Sequence, residues 1–367
     1  MGSKENAAAR AAPPQPPPPK RPRGKRKALA ELPINAPDAS AARARKPRTR
    51  SAARAEAEAE EARKRREVEC AADVARLLNP KRPDARAALA AVAPYIEGID
   101  EYLRSLEVQP LRRPNVDNFW KIQKDISPTM RAVLVDWLVE VTDEFKLQAE
   151  TLYLAVSYVD RFLTADAITR DKLQLLGVTA LLIAAKYEEM ETSKMKVKRY
   201  CDITDGTYTK QQVVEMEAHF LKSLNFVMGG PTVRTFVRQF LACYRGRNRA
   251  SAKKLEFMCS YLAELSLLEY ECTRYLPSVI AAACLFVARF IINPKTRPWN
   301  MTLQQNTGFK VSDLKESIYA IHELQLSIRC PDQTAIREKY HHDNFGCVST
   351  MDSPREIPVP YLEDHDK

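Results

Sequence analysis

Residues 130–141 read Met130-Arg131-Ala132-Val133-Leu134-Val135-Asp136-Trp137-Leu138-Val139-Glu140-Val141. Apolar side chains at 130, 133, 134, 137, 138 and 141 fall at the spacing that lays one stripe along an α-helix. A second set at 135, 139 and 142 fills the opposite side. A helix that is apolar almost all round belongs at the centre of a helical domain. Its charged members, Arg131, Asp136 and Glu140, therefore need individual reasons, because a buried charge is tolerated only when paired.

Working outward, the 367 residues are enough for two ordinary domains. Ten glycines against 45% hydrophobic residues point to helices with short connections rather than a glycine-punctuated β fold. No apolar stretch of about 18 residues is free of charge, so no transmembrane helix is expected. The polar start has no signal-peptide hydrophobic segment. The eight cysteines, at 70, 201, 243, 259, 272, 284, 330 and 347, form no C-x-x-C pair. They read as reduced core thiols of an intracellular protein, ahead of a zinc site or disulfides. No metal and no cofactor are expected.

The net charge of +10 is unevenly placed. Residues 1–66 carry +11, whereas the rest holds 39 basic against 40 acidic side chains. A nearly neutral body offers no bulk electrostatic case for nucleic-acid binding. Residues 1–50 are rich in Ala, Pro, Arg and Lys and almost without large apolar side chains, so 1–93 is expected to be a disordered regulatory tail. Within it, Lys20, Arg21, Arg23, Lys25, Arg26 and Lys27 crowd into eight residues, as in a nuclear import signal; nonspecific nucleic-acid contact is the other use of such charges.

The body reads as a repeat. Helices are expected at 129–143, 150–164, 170–188, 193–200 and 209–224, then at about 232–243, 251–268, 275–291, 300–307 and 312–328. A very apolar third helix, rich in small residues, recurs in each half at 175–187 and 276–290. Each is the natural axis of a bundle. The expectation is all-α: two five-helix domains at 94–228 and 229–345, a short leading helix over 94–106, and a C-terminal tail at 346–367. The leading helix lines up Tyr95, Ile99, Tyr102 and Leu103 on one face, which needs a surface to lie on.

The opening run resembles the signature of the cyclin box in its A-type, plant-like form. The resemblance continues through Phe145-Lys146-Leu147-Gln148, Asp160-Arg161-Phe162-Leu163, Ala185-Lys186-Tyr187-Glu188-Glu189 and Tyr208-Thr209-Lys210-Gln211, and covers roughly 95–345. It implies tandem cyclin boxes and a non-catalytic subunit that binds and activates a cyclin-dependent serine/threonine kinase in cell-cycle control. It places Lys186, Glu217, Tyr95, Ile99, Tyr102 and Phe226 against that kinase. Read without the resemblance, Lys186 is a lysine snorkelling from a helix end, and Tyr187, Phe226, Leu181 and Ile183 are either interface or core. The leading helix could equally cover its apolar face on the chain's own body.

The resemblance further implies that Met130, Val133, Leu134, Trp137, Glu140, Arg170, Leu173 and Gln174 form a groove for Arg-x-Leu motifs of substrates and inhibitors. The plain alternative is that such a stripe is core. Val133 stands where isoleucine is commoner, a difference of at most about 1 kcal/mol. Arg131 and Asp160 match the family's buried ion pair, joining the first and second helices of the box. Lys4-Glu5-Asn6 resembles one degron and Arg26-x-x-Leu29, with Leu32 and Asn35 behind it, another, implying destruction through a ubiquitin ligase and a nuclear protein. Ser127-Pro128 and Ser353-Pro354 are phosphorylation candidates or turn markers.

No phosphate-binding glycine loop, H-E-x-x-H or G-x-S-x-G elbow is present, and His341-His342 reads as a solvated pair rather than a metal site. Two other readings remain: a DNA-binding factor with the same helical repeat, which would need a basic folded surface, and a cyclin-fold scaffold without a productive kinase. No membrane partner is expected.

Overall fold

Local signals at both ends make the opening stretch one helix, Pro128–Phe145. Ser127 accepts a hydrogen bond from the Met130 amide (3.2 Å) and Pro128 fits the first turn, so this Ser-Pro is a helix start. Lys146, at φ 51°, ends it, and the Leu147 amide returns to the Thr142 carbonyl (3.0 Å).

The computed structural model describes residues 98–243 and 249–364, and every regular element among them is helical. Helix α1 (98–107) leads, followed by α2 (Val116–Ile122), α3 (Pro128–Phe145), α4 (Ala149–Leu163), α5 (Leu173–Glu188), α6 (Val197–Asp202) and α7 (Lys210–Ser223). The second set is α8 (Val233–Cys243), α9 (Arg249–Leu265), α10 (Pro277–Ile292), α11 (Met301–Thr307) and α12 (Val311–Gln325), followed by α13 (Ala335–Tyr340). The import signal, both degrons, Tyr95, Cys70 and the start of the leading helix lie outside the described residues.

Helices α5 and α10 are the axes. Every residue from Leu173 to Ala185 is buried, as is every residue from Ile280 to Ala288. Helix α5 packs on α3, α4, α6 and α7, and α10 packs on α8, α9 and α12. Small residues set the approach: a Cβ on Gly177 would stand 2.6 Å from Leu134 Cδ1, so α3 presses its leucine into a notch on α5. Each fully buried Leu, Val or Phe here contributes about 1.5–3 kcal/mol by leaving water. Burial pushes the Cys259 and Cys284 thiols up, as expected for inert core thiols.

Helices α2 and α13 lie where none was expected, and three further features depart from the expectation. The fourth helix is two pieces, a 3₁₀ turn at Thr192–Met195 and then α6, because Lys196 is extended (φ −78°, ψ 117°). The third begins as a 3₁₀ turn at Arg170–Lys172. The C-terminal segment lies on the second bundle instead of trailing away: Val348, Ile357 and Leu362 are buried, and His322 Nε2 meets Ser353 Oγ (3.1 Å) and the Pro354 carbonyl (2.9 Å).

The two bundles are stitched at α3. Arg131 pairs with Asp160 through Nε–Oδ1 and Nη2–Oδ2, both 2.8 Å, with the two side chains almost wholly buried. It also donates to the carbonyls of Leu267 and Leu268 (2.9 Å for the latter) in the second bundle. The pair thus reaches further than the expected link between two helices of one box. Asp136 accepts from the Ala335 amide (3.1 Å) and caps α13 from outside. At the front, the buried Glu107 carboxylate takes the Ser278 amide (3.0 Å) and hydroxyl (2.7 Å), capping α10 from α1.

Candidate functional site

Lys186 closes α5, and Glu217 faces it from α7. The buried stretch before Lys186 fixes its backbone, and the Thr209–Gln212 capping box fixes the start of α7. Nζ and Oε1 stand 2.5 Å apart, the lysine 39% and the glutamate 16% exposed. The two residues named together from sequence are therefore brought together, with the cation reaching toward solvent.

Around the pair lie large apolar groups that the fold leaves uncovered. After α7, Asn225 (φ 52°) and Phe226 (φ 57°) are left-handed; the Phe226 amide bonds the Leu221 carbonyl (2.9 Å) and the Asn225 amide that of Lys222 (3.0 Å). This is the paired closure of a Schellman turn, and it holds the Phe226 ring outward at 67% exposed. Left-handed backbone at a bulky residue costs energy, so surrounding contacts must impose it. Tyr187, just after Lys186, is also exposed, and its hydroxyl occupies the space a side chain on Gly229 would need. Leu181 and Ile183 are core.

Helix α1 docks by a polar-edged face. Asp100 accepts from Gln239 Nε2 (2.5 Å), and Arg104 donates to the Thr307 carbonyl (2.8 Å) while lying 5.3 Å from the Phe309 ring centroid. Leu103 packs on the core, but Ile99 (48%) and Tyr102 (61%) stay exposed. The four-residue face expected from sequence is therefore divided. Gln239 and Tyr187 line one shallow cleft, so α1 borders the same region as the Lys186 end of α5.

The second candidate surface is partly core. Leu134, Leu173 and Gln174 are buried, Leu134 completely. Val133 and Arg170 are exposed, and Met130, Trp137 and Glu140 are half-buried along α3. Among the described residues, Gln174 Nε2 is buried without a hydrogen-bond partner. Such a donor is costly unless something arrives to accept it. Leu134, Leu173 and Gln174 are therefore core rather than an exposed lining.

Sequence reasoning passed over Arg161, a buried residue on α4 whose guanidinium has no partner among the described residues. Its only signal was a charge interrupting an apolar helix, and its surroundings come from distant parts of the chain.

Comparison with known proteins agrees with this architecture. Residues 99–229 match the cyclin N-terminal domain and 231–354 the cyclin C-terminal domain. Cyclin-A3-2 of Oryza sativa subsp. japonica is 54% identical over 270 residues, covering 74% of this chain and 70% of that protein. Cyclin-A3-2 of Arabidopsis thaliana is 50% identical over 271 residues, covering 74% and 72%. Among solved structures, a viral cyclin from herpesvirus saimiri superposes with a TM-score of 0.54 at 18% identity, covering 63% of this chain and 96% of that one. The matched segments meet at the Gly229–Pro231 linker, where the two bundles join, and the chain belongs to the cyclin family, among relatives of the plant A3 type.

Proposed function

We propose that this chain is the regulatory subunit that binds and activates a cyclin-dependent serine/threonine kinase, contributing binding rather than bond-making chemistry. The observation that carries the reading is the Lys186–Glu217 pair, preformed at 2.5 Å beside the exposed Tyr187. Phe226, Ile99 and Tyr102 are the further apolar groups that a partner would cover. A docked helix would bury these side chains, and the pair would then bond its backbone from a site stripped of water, where charge-assisted bonds are strongest. Holding the kinase's mobile αC helix inward would complete its Lys–Glu ion pair. The chain would act by preferring the active kinase conformation, across an interface of roughly 2,000 Å² or more.

The half-buried Trp137, the exposed Val133 and the buried Gln174 amide without a partner among the described residues support a second role in docking Arg-x-Leu peptides. Nuclear import through Lys20–Lys27 and ubiquitin-dependent destruction through Lys4-Glu5-Asn6 and Arg26-x-x-Leu29 rest on sequence alone. The near-neutral body gives no support to a DNA-binding role.

Co-purification with candidate cyclin-dependent kinases, read with histone-kinase activity, tests both surfaces. Lys186→Ala with Glu217→Ala is expected to weaken kinase association at least 100-fold with an unchanged helical spectrum. Trp137→Ala should keep kinase association and lose Arg-x-Leu peptide affinity about tenfold or more. Intact co-purification of the double variant would refute the kinase seat, and unchanged peptide affinity would return Trp137 to the core.

A further inference from the structure

Between the two bundles runs a cleft of about 120 Å³, walled by α4, the segment before α2, the Gly229–Pro231 linker and the loop before α10. That volume suits a small ion with its waters and is too small for a metabolite-sized ligand. Four arginines line it, Arg112, Arg113, Arg131 and Arg161, against a single carboxylate, Asp160. Both oxygens of that carboxylate are taken by Arg131, so nothing acidic in the wall is left for the other three cations.

Arg161 is the informative one. It is 5% exposed, yet its guanidinium makes no hydrogen bond and no ion pair among the described residues. Burial lowers its affinity for a proton, Tyr158 opposes this and the neighbouring Arg112 adds to it, leaving a pKa of about 10. A buried cation beside a like charge and without an anion is a costly arrangement, and a fold retains one where an anion completes it. Arg112 runs along the linker, with Cδ 3.8 Å from where a side-chain carbon on Gly230 would stand and Nη1 4.0 Å from the same point on Gly229. Arg112 thus lies in van der Waals reach of the linker at both glycines. Arg113 is anchored by its bond to the Arg274 carbonyl (2.9 Å) in the second half.

We propose that this cleft is an oxyanion site, taking a phosphate group between Arg161, Arg112 and Arg113. A guanidinium fork matches two phosphate oxygens at once, and a tetrahedral anion can meet forks arriving from several directions, which a planar carboxylate cannot. The bound group joins the first bundle, the segment before it and the linker, and so stiffens the joint between the bundles. This assignment does not depend on the kinase reading.

Thermal unfolding of the full chain at pH 8, in sodium phosphate against sodium chloride of equal ionic strength, tests it. Phosphate is expected to raise the wild-type midpoint in a saturable way. Arg161→Met should lose that rise while being no less stable in chloride, since it removes an unpaired buried charge. Arg112→Gln, at the half-exposed edge, should weaken the phosphate midpoint concentration about tenfold and serves if Arg161→Met fails to fold. No phosphate-specific rise in the wild type, or the same rise in either variant, overturns the site. A short phosphoserine peptide separates the sources: affinity above that of inorganic phosphate, lost on dephosphorylation, assigns a protein-borne phosphoryl group, and affinity at or below it assigns the free ion.

Discussion

Asp136 shows how one side chain serves both local and distant structure. It lies on α3 in the first bundle and caps α13 in the second, accepting from the Ala335 amide. Burial pushes its carboxyl up to about 6; Glu140 and Glu338 add to this, and the Ala335 and Thr334 amides oppose it. A carboxyl that holds its proton more tightly folded than unfolded contributes stability below the unfolded pKa, near 4, and loses it as pH rises through about 6. Asp136→Asn keeps an acceptor for the amide and removes the charge. It should be more stable than wild type by about 1 kcal/mol at pH 8, a figure reduced for partial exposure, and indistinguishable near pH 3, below the unfolded pKa. Urea midpoints at the two pH values check this, and an equal gain at both would assign the effect to something other than ionisation. At this scale the sequence was only partly legible. Lys186 and Glu217 were found through a motif, because nothing in their own spacing brings residues 31 apart into contact. Arg161 could not be found, since its neighbours at 112 and 229 meet only in three dimensions.

Among the elements, long helices were legible and short ones only in part: α11 was expected at 300–307, but α2 and α13 were not expected at all. Periodicity and a side-chain cap define α3 and α7, a proline in the first turn opens α10, and an unbroken apolar run marks α5. Helices α2 and α13 span seven and six residues, too short to show a period, and neither has a side-chain cap of its own. Helix α13 exists where Asp136 stands ready, an instruction written about 200 residues earlier. The contact of α3 with α5 carries the prediction for this scale. Gly177→Ala would favour the helix by about 1 kcal/mol but place its methyl 2.6 Å from Leu134 in a filled core. The clash should win, leaving the variant about 1–2 kcal/mol less stable by urea denaturation. Combining it with Leu134→Val should recover part of that loss, and an additive double variant would place the strain elsewhere.

In the whole molecule, the repeat was visible in the two apolar axes, but the stitching between halves was not. Arg131 was legible as a paired charge, yet its bonds to the Leu267 and Leu268 carbonyls depend on how the bundles meet. Arg131→Met leaves Asp160 buried without its partner and should cost about 3–5 kcal/mol. Adding Asp160→Leu should restore much of this. The two halves of that double variant should then unfold less cooperatively, with calorimetric and van't Hoff enthalpies diverging, whereas the wild type should unfold in one transition. A single sharp transition in the double variant would mean that the remaining contacts suffice. The C-terminal segment escaped sequence reading for a related reason: Val348, Ile357 and Leu362 are isolated among polar residues and show no period, though each fills a place on the second bundle.

Glu107 sets a boundary on what can be removed from the front of the chain. Its carboxylate plugs the amide end of α10, the helix around which the rear half is built. A cut ahead of residue 98 spares that plug, whereas a cut between α1 and α2 severs the peptide that holds it in place. The leading helix is therefore a stopper for the rear half, and trimming it to simplify the protein would loosen a part that lies about 170 residues further along the chain.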